Sequence, residues 1–162
     1  MTEIQYTHLE AVLLDYGHQI TEEYRRQLDA EKKNASFALS NTVRPLLKKD
    51  GDNYTLALAL QYYWKYLEYG TRAAVGHAQG KFPPVAVFEE WIRVKPVIPY
   101  RGKDGKIPTP HQLAFLIARK IWREGTRPWY FLTQAMPDEG EVMNRLAEAI
   151  RLDIEEWIRS LI

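Results

Sequence analysis

The chain of 162 residues contains no cysteine and no long run of apolar residues. Without cysteine it can form neither a disulfide nor a thiolate metal site. Without an apolar run of about 20 residues it offers no candidate membrane-spanning helix. The first residues, MTEIQYTHLE, lack a basic segment followed by an apolar block, so we expect no secretory signal. These absences predict a soluble protein and permit a cytoplasmic one.

The sequence also lacks a catalytic motif. It contains no G-x-S-x-G, phosphate-binding or dinucleotide-binding glycine pattern. Neighbouring helical residues point about 100° apart, so the doublets Glu89-Glu90 and Glu155-Glu156 do not form converging acid–base pairs. The histidines show no metal-binding spacing, and they are His8, His18, His77 and His111. We therefore expect a protein that is not an enzyme and has no cofactor and no metal.

Charge is distributed unevenly along the chain, although the net charge is only +1. Residues 61–130 carry twelve Lys/Arg and five Asp/Glu, a balance of +7. The balance is −2 over residues 1–60 and −4 over residues 131–162. Such segregation can align copies in an assembly or meet a phosphate backbone, and it is also common on solvated helix faces.

Hydrophobic periodicity predicts a helix followed by a hairpin in the N-terminal part of the chain. Thr7 and Glu10 have the spacing of a capping box, and apolar residues then recur every three or four positions to Leu28. The period changes to two over residues 36–61, around the turn signal at Asp50-Gly51. Pro45 places the first strand at an edge or breaks it.

The C-terminal part reads as three further helices. The first begins at Pro84, a favourable residue for a first helical turn, and ends at Lys95-Pro96. The second begins at Thr109-Pro110, and the third begins at Pro137-Asp138, where acidic residues suit the positive helix start. Inward-facing residues predicted for the second are Leu113, Leu116, Ile117 and Ile121. Those predicted for the third are Val142, Leu146, Ile150, Ile154, Trp157 and Leu161.

Together these elements predict one α+β domain over residues 1–162. It consists of an N-terminal helix over 7–32, a hairpin over 36–61 and a helical remainder over 62–162. A lone hairpin is marginal in water, so we expect a small hairpin-based sheet packed against about four to five helices.

The most informative stretch is YYWKYLEYGTR, residues 62–72, with five aromatic residues among its first eight. Helical spacing places Tyr63, Tyr66 and Leu67 on one side and leaves Lys65 and Glu68 facing water. Gly70 suits the left-handed position past a helix end. A related stretch, Glu-Gly-Thr-Arg, recurs at residues 124–127 and is followed by Pro-Trp-Tyr-Phe. Taken alone, the first stretch is typical of a short core helix.

In chain order, these features resemble the tail-completion or neck proteins at the head–tail junction of tailed bacteriophages and prophages. The shared order is a strand pair, an aromatic helix ending in EYGT, a Phe-Pro-Pro loop and a Trp-bearing helix. A basic helix ending in EGTR, an aromatic turn and an acidic C-terminal helix follow. The resemblance covers residues 35–158. The chain departs from the family in its long N-terminal helix and in Pro128, which precedes Trp129.

The resemblance implies a non-enzymatic structural protein of the virion, made in the host cytoplasm, that completes the tail or neck so that head and tail join. It implies a cyclic homo-oligomer that contacts a connector or adaptor ring and the tail tube or terminator. DNA passes nearby without specific binding, and no membrane is involved. The matching structural residues are Tyr66, Glu68, Gly70, Thr71, Gly125, Thr126, Trp129, Phe131 and Ala135. Glu68 is also available to pair with Arg72.

Possible interface residues lie in the basic middle of the chain. They are Arg101, Lys103 and Lys106 in a loop, and Arg119 and Arg123 in a helix. The basic middle and the acidic C-terminal helix could form the two complementary surfaces that a ring requires. Because Arg119, Lys120 and Arg123 flank Trp122, the alternative is a nucleic-acid-binding accessory protein that uses the basic 61–130 surface. The opposing interpretation is that Trp122 and Trp129 pack in the core. A small enzyme whose site assembles in space is the third hypothesis.

Overall fold

A long N-terminal helix is the element on which the hairpin and three of the other described helices pack. The computed structural model describes residues 4–31, 38–71, 81–95, 97, 99–101 and 105–162. Helix α1 spans Thr7–Ala30, and its buried face carries Tyr16, Ile20, Tyr24 and Leu28, as the periodicity predicted. Helix α1 contacts the hairpin, the short helix that precedes the hairpin, and the last two helices of the chain. The described elements confirm the predicted α+β fold.

The hairpin consists of β1 (Arg44–Asp50) and β2 (Asn53–Ala59), which pair antiparallel around the predicted turn. Pro45 lies within β1 opposite Leu58, and a two-stranded sheet tolerates it because both strands are edges. A Cβ added to Gly17 of α1 would lie 2.5 Å from the Cβ of Pro45. The glycine therefore allows the hairpin to approach α1 closely.

The prediction of strand before residue 44 was wrong. Residues Ala38–Thr42 form a short helix, α2. Leu39 and Val43 are both buried, and their spacing of four brings them to one side of a helical turn. Arg25 of α1 donates hydrogen bonds to the carbonyls of Ser40 (2.8 Å) and Val43 (2.7 Å), which lie at the C-terminal end of α2 where helix carbonyls need partners outside the helix. Phe37 lies outside the described residues.

The remaining described elements are helical. The aromatic stretch forms the short helix α3 (Trp64–Glu68). Helices α4 (Val85–Val94) and α5 (Pro110–Glu124) pack on each other. The short α6 (Phe131–Ala135) and the long α7 (Glu139–Arg159) both pack on α1. Within the ranges that the structure describes, none of these helices is long and apolar enough to cross a membrane.

Two of the predicted helix starts are confirmed in detail. Thr109 caps α5 in a full capping box with Gln112, and Pro110 occupies the first turn. The side chain of Asp138 caps α7 by accepting from the backbone N–H of Glu141 at 3.0 Å. The start of α1 differs, because Tyr6 is its N-cap residue and makes no side-chain cap. The capping box predicted from Thr7 and Glu10 was wrong.

A carboxylate from the other end of the chain caps α1 instead. Asp153 of α7 is 1% exposed, and it accepts hydrogen bonds from the backbone N–H groups of His8 (2.8 Å) and Leu9 (3.0 Å). The Thr7 hydroxyl donates to the same carboxylate at 3.3 Å. Helix starts expose unpaired N–H groups that carry partial positive charge. A carboxylate accepts their hydrogen bonds and offsets that charge. This cap locks α1 and α7 together.

An exposed ion pair lies beside that cap. The ring of His8 is 3.0 Å from the Glu156 carboxylate, and this hydrogen bond raises the pKa of His8 above its ordinary value. A raised pKa in the folded state means that the pair stabilises the fold below the unfolded-state pKa. The contribution disappears as pH rises through the folded-state pKa.

We predict that Asp153→Asn destabilises the protein by about 2 kcal/mol, because a buried charged acceptor of three hydrogen bonds is lost. Denaturant unfolding at pH 8 measures this loss. Glu156→Gln is the matched control: its effect is small at pH 8 and appears only in acid, where His8 is protonated. Equal stability of Asp153→Asn and the wild type would contradict the assigned cap.

Candidate functional site: the paired Gly-Thr segments

The two Gly-Thr-Arg copies meet in space, although they lie 55 residues apart. Thr71 and Thr126 form an isolated antiparallel bridge, in which each backbone N–H donates to the other residue's carbonyl at 3.1 Å. Each hydroxyl also lies 2.9 Å from the opposite N–H, and the two hydroxyls are 3.1 Å apart. We call residues 67–71 and 125–130 the paired Gly-Thr segments. Arg72 lies outside the described residues, so its predicted pairing with Glu68 is untested.

The contact continues beyond the threonines. The N–H of Trp129 donates to the carbonyl of Leu67 at 2.9 Å, and that of Tyr130 donates to the carbonyl of Glu68 at 3.3 Å. Tyr130 adopts a left-handed backbone with φ 56°, the only such non-glycine residue among those described. This conformation turns the chain sharply into α6.

Gly70 is required where the two segments cross. Its φ of 67° confirms the predicted left-handed conformation. A Cβ at this position would lie 2.2 Å from the carbonyl oxygen of Thr126 and 2.9 Å from the backbone of Arg127 and Pro128. The second glycine, Gly125, has φ 74° and ends α5. The first glycine is therefore needed for close approach as well as for its backbone angle.

The side chain of Glu68 is buried, and the prediction that it faces water was wrong. It is 2% exposed and accepts hydrogen bonds from the backbone N–H groups of Leu132 (2.9 Å) and Thr133 (3.0 Å). The Thr133 hydroxyl donates to the same carboxylate at 2.6 Å. Glu68 therefore caps the start of α6 from a separate helix, in the way that Asp153 caps α1.

The negative charge of Glu68 affects the pKa of Tyr24 in the core. Burial raises the pKa of Tyr24, and the nearby negative charge of Glu68 raises it further, so the phenol stays neutral. Tyr24 packs edge-on against Phe131, with the ring centroids 6.5 Å apart. Phe131 is 3% exposed. The capped helix and the core of α1 thus form one packed unit.

Aromatic residues of this region divide between the core and the surface. Tyr63 and Leu67 pack against the core, as predicted, but Tyr66 is 58% exposed and was wrongly assigned to the buried side. Helix α3 has only five residues, so one side of it cannot bury every aromatic residue. Trp129 stacks on Phe131 with ring centroids 5.6 Å apart. The guanidinium of Arg127 lies 3.7 Å from the Trp129 ring centroid.

The basic residues proposed for an interface are not members of the paired Gly-Thr segments. Arg119 and Arg123 are exposed on α5, and Arg101 and Lys106 are exposed in the loop before it. Lys103 lies outside the described residues. Trp122 is half-buried and contacts Phe82, with ring centroids 5.9 Å apart. The geometry favours the packing interpretation of Trp122 and Trp129 over their use as stacking platforms.

The remaining polar groups of the described residues include a surface depression and two carboxylate contacts. The described residues contain no group of three or more His, Asp or Glu residues arranged to hold a metal ion. An open depression of about 400 Å³ lies between α1 and the end of α6, where Arg26 and Gln27 lower the pKa of Glu23 to about 2. Glu89 contacts the ring of His111, and Glu155 forms an ion pair with Arg151.

Comparison with protein families, with curated proteins and with solved structures found no match.

Sequence reasoning identified most residues of the paired segments but missed Thr133, the partner of Glu68. It also missed the cap itself. The one sequence signal for this cap was the acidic Glu68 inside an otherwise aromatic segment.

Gly70→Ala is expected to destabilise the protein by at least about 3 kcal/mol, because the new methyl group meets backbone in addition to the unfavourable φ. Gly51→Ala is the matched control. Gly51 has φ 57° and open space around it, so only the backbone term of about 1 kcal/mol applies there. Chemical denaturation measures both, and equal losses would show that the close approach of the two segments is wrong.

Glu68→Gln is expected to lower the free energy of unfolding by about 2 kcal/mol, because two backbone donors and a hydroxyl lose a charged acceptor. Glu124→Gln provides a control on an exposed helical position and should change stability by less than about 0.5 kcal/mol. Urea unfolding compares the two variants. A Glu68→Gln variant as stable as the control would refute the buried cap.

Proposed function

We propose that this chain is a structural protein of a tailed bacteriophage or prophage, located at the junction of head and tail. The proposed role is to complete the tail or neck so that a DNA-filled head joins it. The proposal begins from the resemblance in sequence order. One structural observation supports it: the residues that carry the resemblance assemble into a single unit, the paired Gly-Thr segments with Glu68.

The chemistry of this unit suits a structural role. Gly70, Thr71 and Thr126 contribute backbone approach and hydrogen bonds, and the Glu68 carboxylate is fully used in capping α6. These residues hold distant segments of the chain in a fixed arrangement. A rigid scaffold of this kind can present surfaces to neighbouring proteins in an assembly.

Charge segregation supports the assembly role. Residues 81–127 carry ten Lys/Arg and four Asp/Glu, whereas α7 carries six Asp/Glu and three Arg. A ring built from one type of chain needs two different complementary surfaces, one on each side of the copy. Opposite charges on two parts of the same chain meet this requirement.

A nucleic-acid-binding accessory role is the second candidate, and the exposed Arg119 and Arg123 favour it. That role predicts tight binding of DNA that weakens steeply with salt, since each neutralised phosphate releases counterions. The joining role predicts weak DNA binding together with association with heads or tails. Binding measured in a salt series distinguishes the two.

Disruption of the gene in its parent phage is expected to yield filled heads lying apart from finished or overlong tails, as seen by electron microscopy of lysates. Wild-type protein supplied in trans should restore joined particles. The double reversal Arg119→Glu with Arg123→Glu should fail to restore them. Arg44→Glu with Lys48→Glu, which makes the same charge change on the exposed side of β1, is the control. Normal, infectious particles from the disrupted phage would overturn the proposal.

A further inference from the structure

Helices α4 and α5 lie outside the hydrophobic core of the protein. The buried residues of that core come from α1, α2, α6 and residue 43, and the side chains packed against it lie within residues 58–67 and 129–132. None of the described residues between 81 and 125 belongs to this core. Helices α4 and α5 pack on each other, and neither packs to a comparable extent on another described helix or strand. We call the described residues between 81 and 125 the α4–α5 arm, and the other described residues the body.

The α4–α5 arm buries few of its apolar side chains. No residue of α4 is buried, and α5 buries only the small Ala114 and Ala118. The larger Phe115 and Leu116 are each 43% exposed, so the prediction that Leu116 faces inward was wrong. Because hydrophobic stabilisation grows with the apolar area removed from water, the arm gains little from its own packing.

An aromatic cluster and a polar contact connect the two helices of the arm. The ring of Phe82, which precedes α4, has its centroid 5.6 Å from that of Phe115 and 5.9 Å from that of Trp122, both in α5. The ring of His111 on α5 contacts Glu89 on α4. All of these residues belong to the arm, so it has packing interactions of its own.

Both ends of the arm meet the body at one place. The chain leaves the body after Thr71 and returns at Thr126, and these two residues form the antiparallel bridge described above. Helix α5 ends at Gly125, whose backbone (φ 74°, ψ −171°) is a conformation open almost only to glycine. On the body side, Glu68 fixes α3 to α6. Since the bridge holds both ends together, the arm can lose its structure without separating the elements of the body.

We propose that the α4–α5 arm opens as a separate cooperative unit while the body keeps its fold. Opening breaks the packing of α4 on α5 and leaves the core around Tyr24 and Phe131 intact. Units with few buried contacts have lower free energies of opening than the core of the same protein. The arm can therefore change its conformation on contact with another molecule while the body stays folded. This property belongs to the isolated protein and does not depend on the role at the head–tail junction.

Native-state hydrogen exchange of the full chain tests the proposal. We expect the backbone amides of residues 114–118 in α5 to exchange at least about 100-fold faster, relative to their intrinsic rates, than those of residues 20–28 in α1. Their exchange should depend little on low concentrations of denaturant, because opening the arm exposes less surface than global unfolding. Protection of α5 as strong as that of α1 would overturn the proposal.

A variant in the body tests whether the arm opens separately. Asp153→Asn weakens the cap of α1, so amides of α1 and α7 should exchange at least about tenfold faster. Exchange in α4 and α5 should be unchanged, because the cap is the same whether the arm is open or closed. Arm amides that accelerate in step with those of α1 would overturn the proposal, since the arm would then open only when the whole chain unfolds.

A variant inside the arm tests whether α4 and α5 open together. Phe82→Ala removes the ring that contacts Phe115 and Trp122, so amides of α4 and α5 should accelerate by the same factor, about tenfold. Tyr100→Ala is the control, because the Tyr100 side chain is 94% exposed and its removal should leave exchange in both helices unchanged. Acceleration confined to one of the two helices would overturn the proposal, because the arm would not be a single unit.

Discussion

The arrangement of the paired Gly-Thr segments depends on the hydrogen bonds that the buried Glu68 carboxylate accepts. A buried charge is unfavourable unless it is fully hydrogen-bonded, and here two backbone N–H groups and one hydroxyl provide those bonds. The same bonds satisfy the start of α6, whose Phe131 packs against Tyr24 of α1. The Gly70 crossing and the threonine bridge then follow, because α3 and α6 are fixed relative to each other.

The fold uses this device twice. Asp153 caps α1 from α7, and Glu68 caps α6 from α3, each with two backbone N–H donors and a threonine hydroxyl. In both cases one helix provides the cap for another that is distant in sequence. Long-range caps of this kind join the ends and the middle of the chain without a disulfide. They are also sensitive to substitution, because each carboxylate is buried and depends on these hydrogen bonds for its stability.

Much of the fold was predictable from local patterns. The buried face of α1, the hairpin turn, and the starts of α5 and α7 depend on periodicity, turn chemistry and capping, which are read within a few residues. The strand predicted before residue 44 failed because Leu39 and Val43 fit either period over so short a stretch. The burial of Glu68 could not be predicted, since its partners Leu132 and Thr133 lie more than sixty residues away.

The same limit applies to the candidate site and to α7. The sequence contains two Gly-Thr-Arg copies but does not indicate that they meet, and only the structure brings Thr71 against Thr126. Periodicity identified the apolar residues of α7 and could not tell which of them α1 covers. Ile150, Ile154 and Leu161 are exposed, so the prediction that they face inward was wrong.

The most direct test of the proposed role at the head–tail junction is the position of this protein in finished phage particles. Antibodies against the chain, bound to purified virions and viewed by electron microscopy, would show that position. If the protein completes the tail or neck, the antibody label will lie at the joint between head and tail, with none along the tail or over the head. Virions that contain the protein elsewhere, or that lack it while infected cells contain it bound to DNA, would contradict the account.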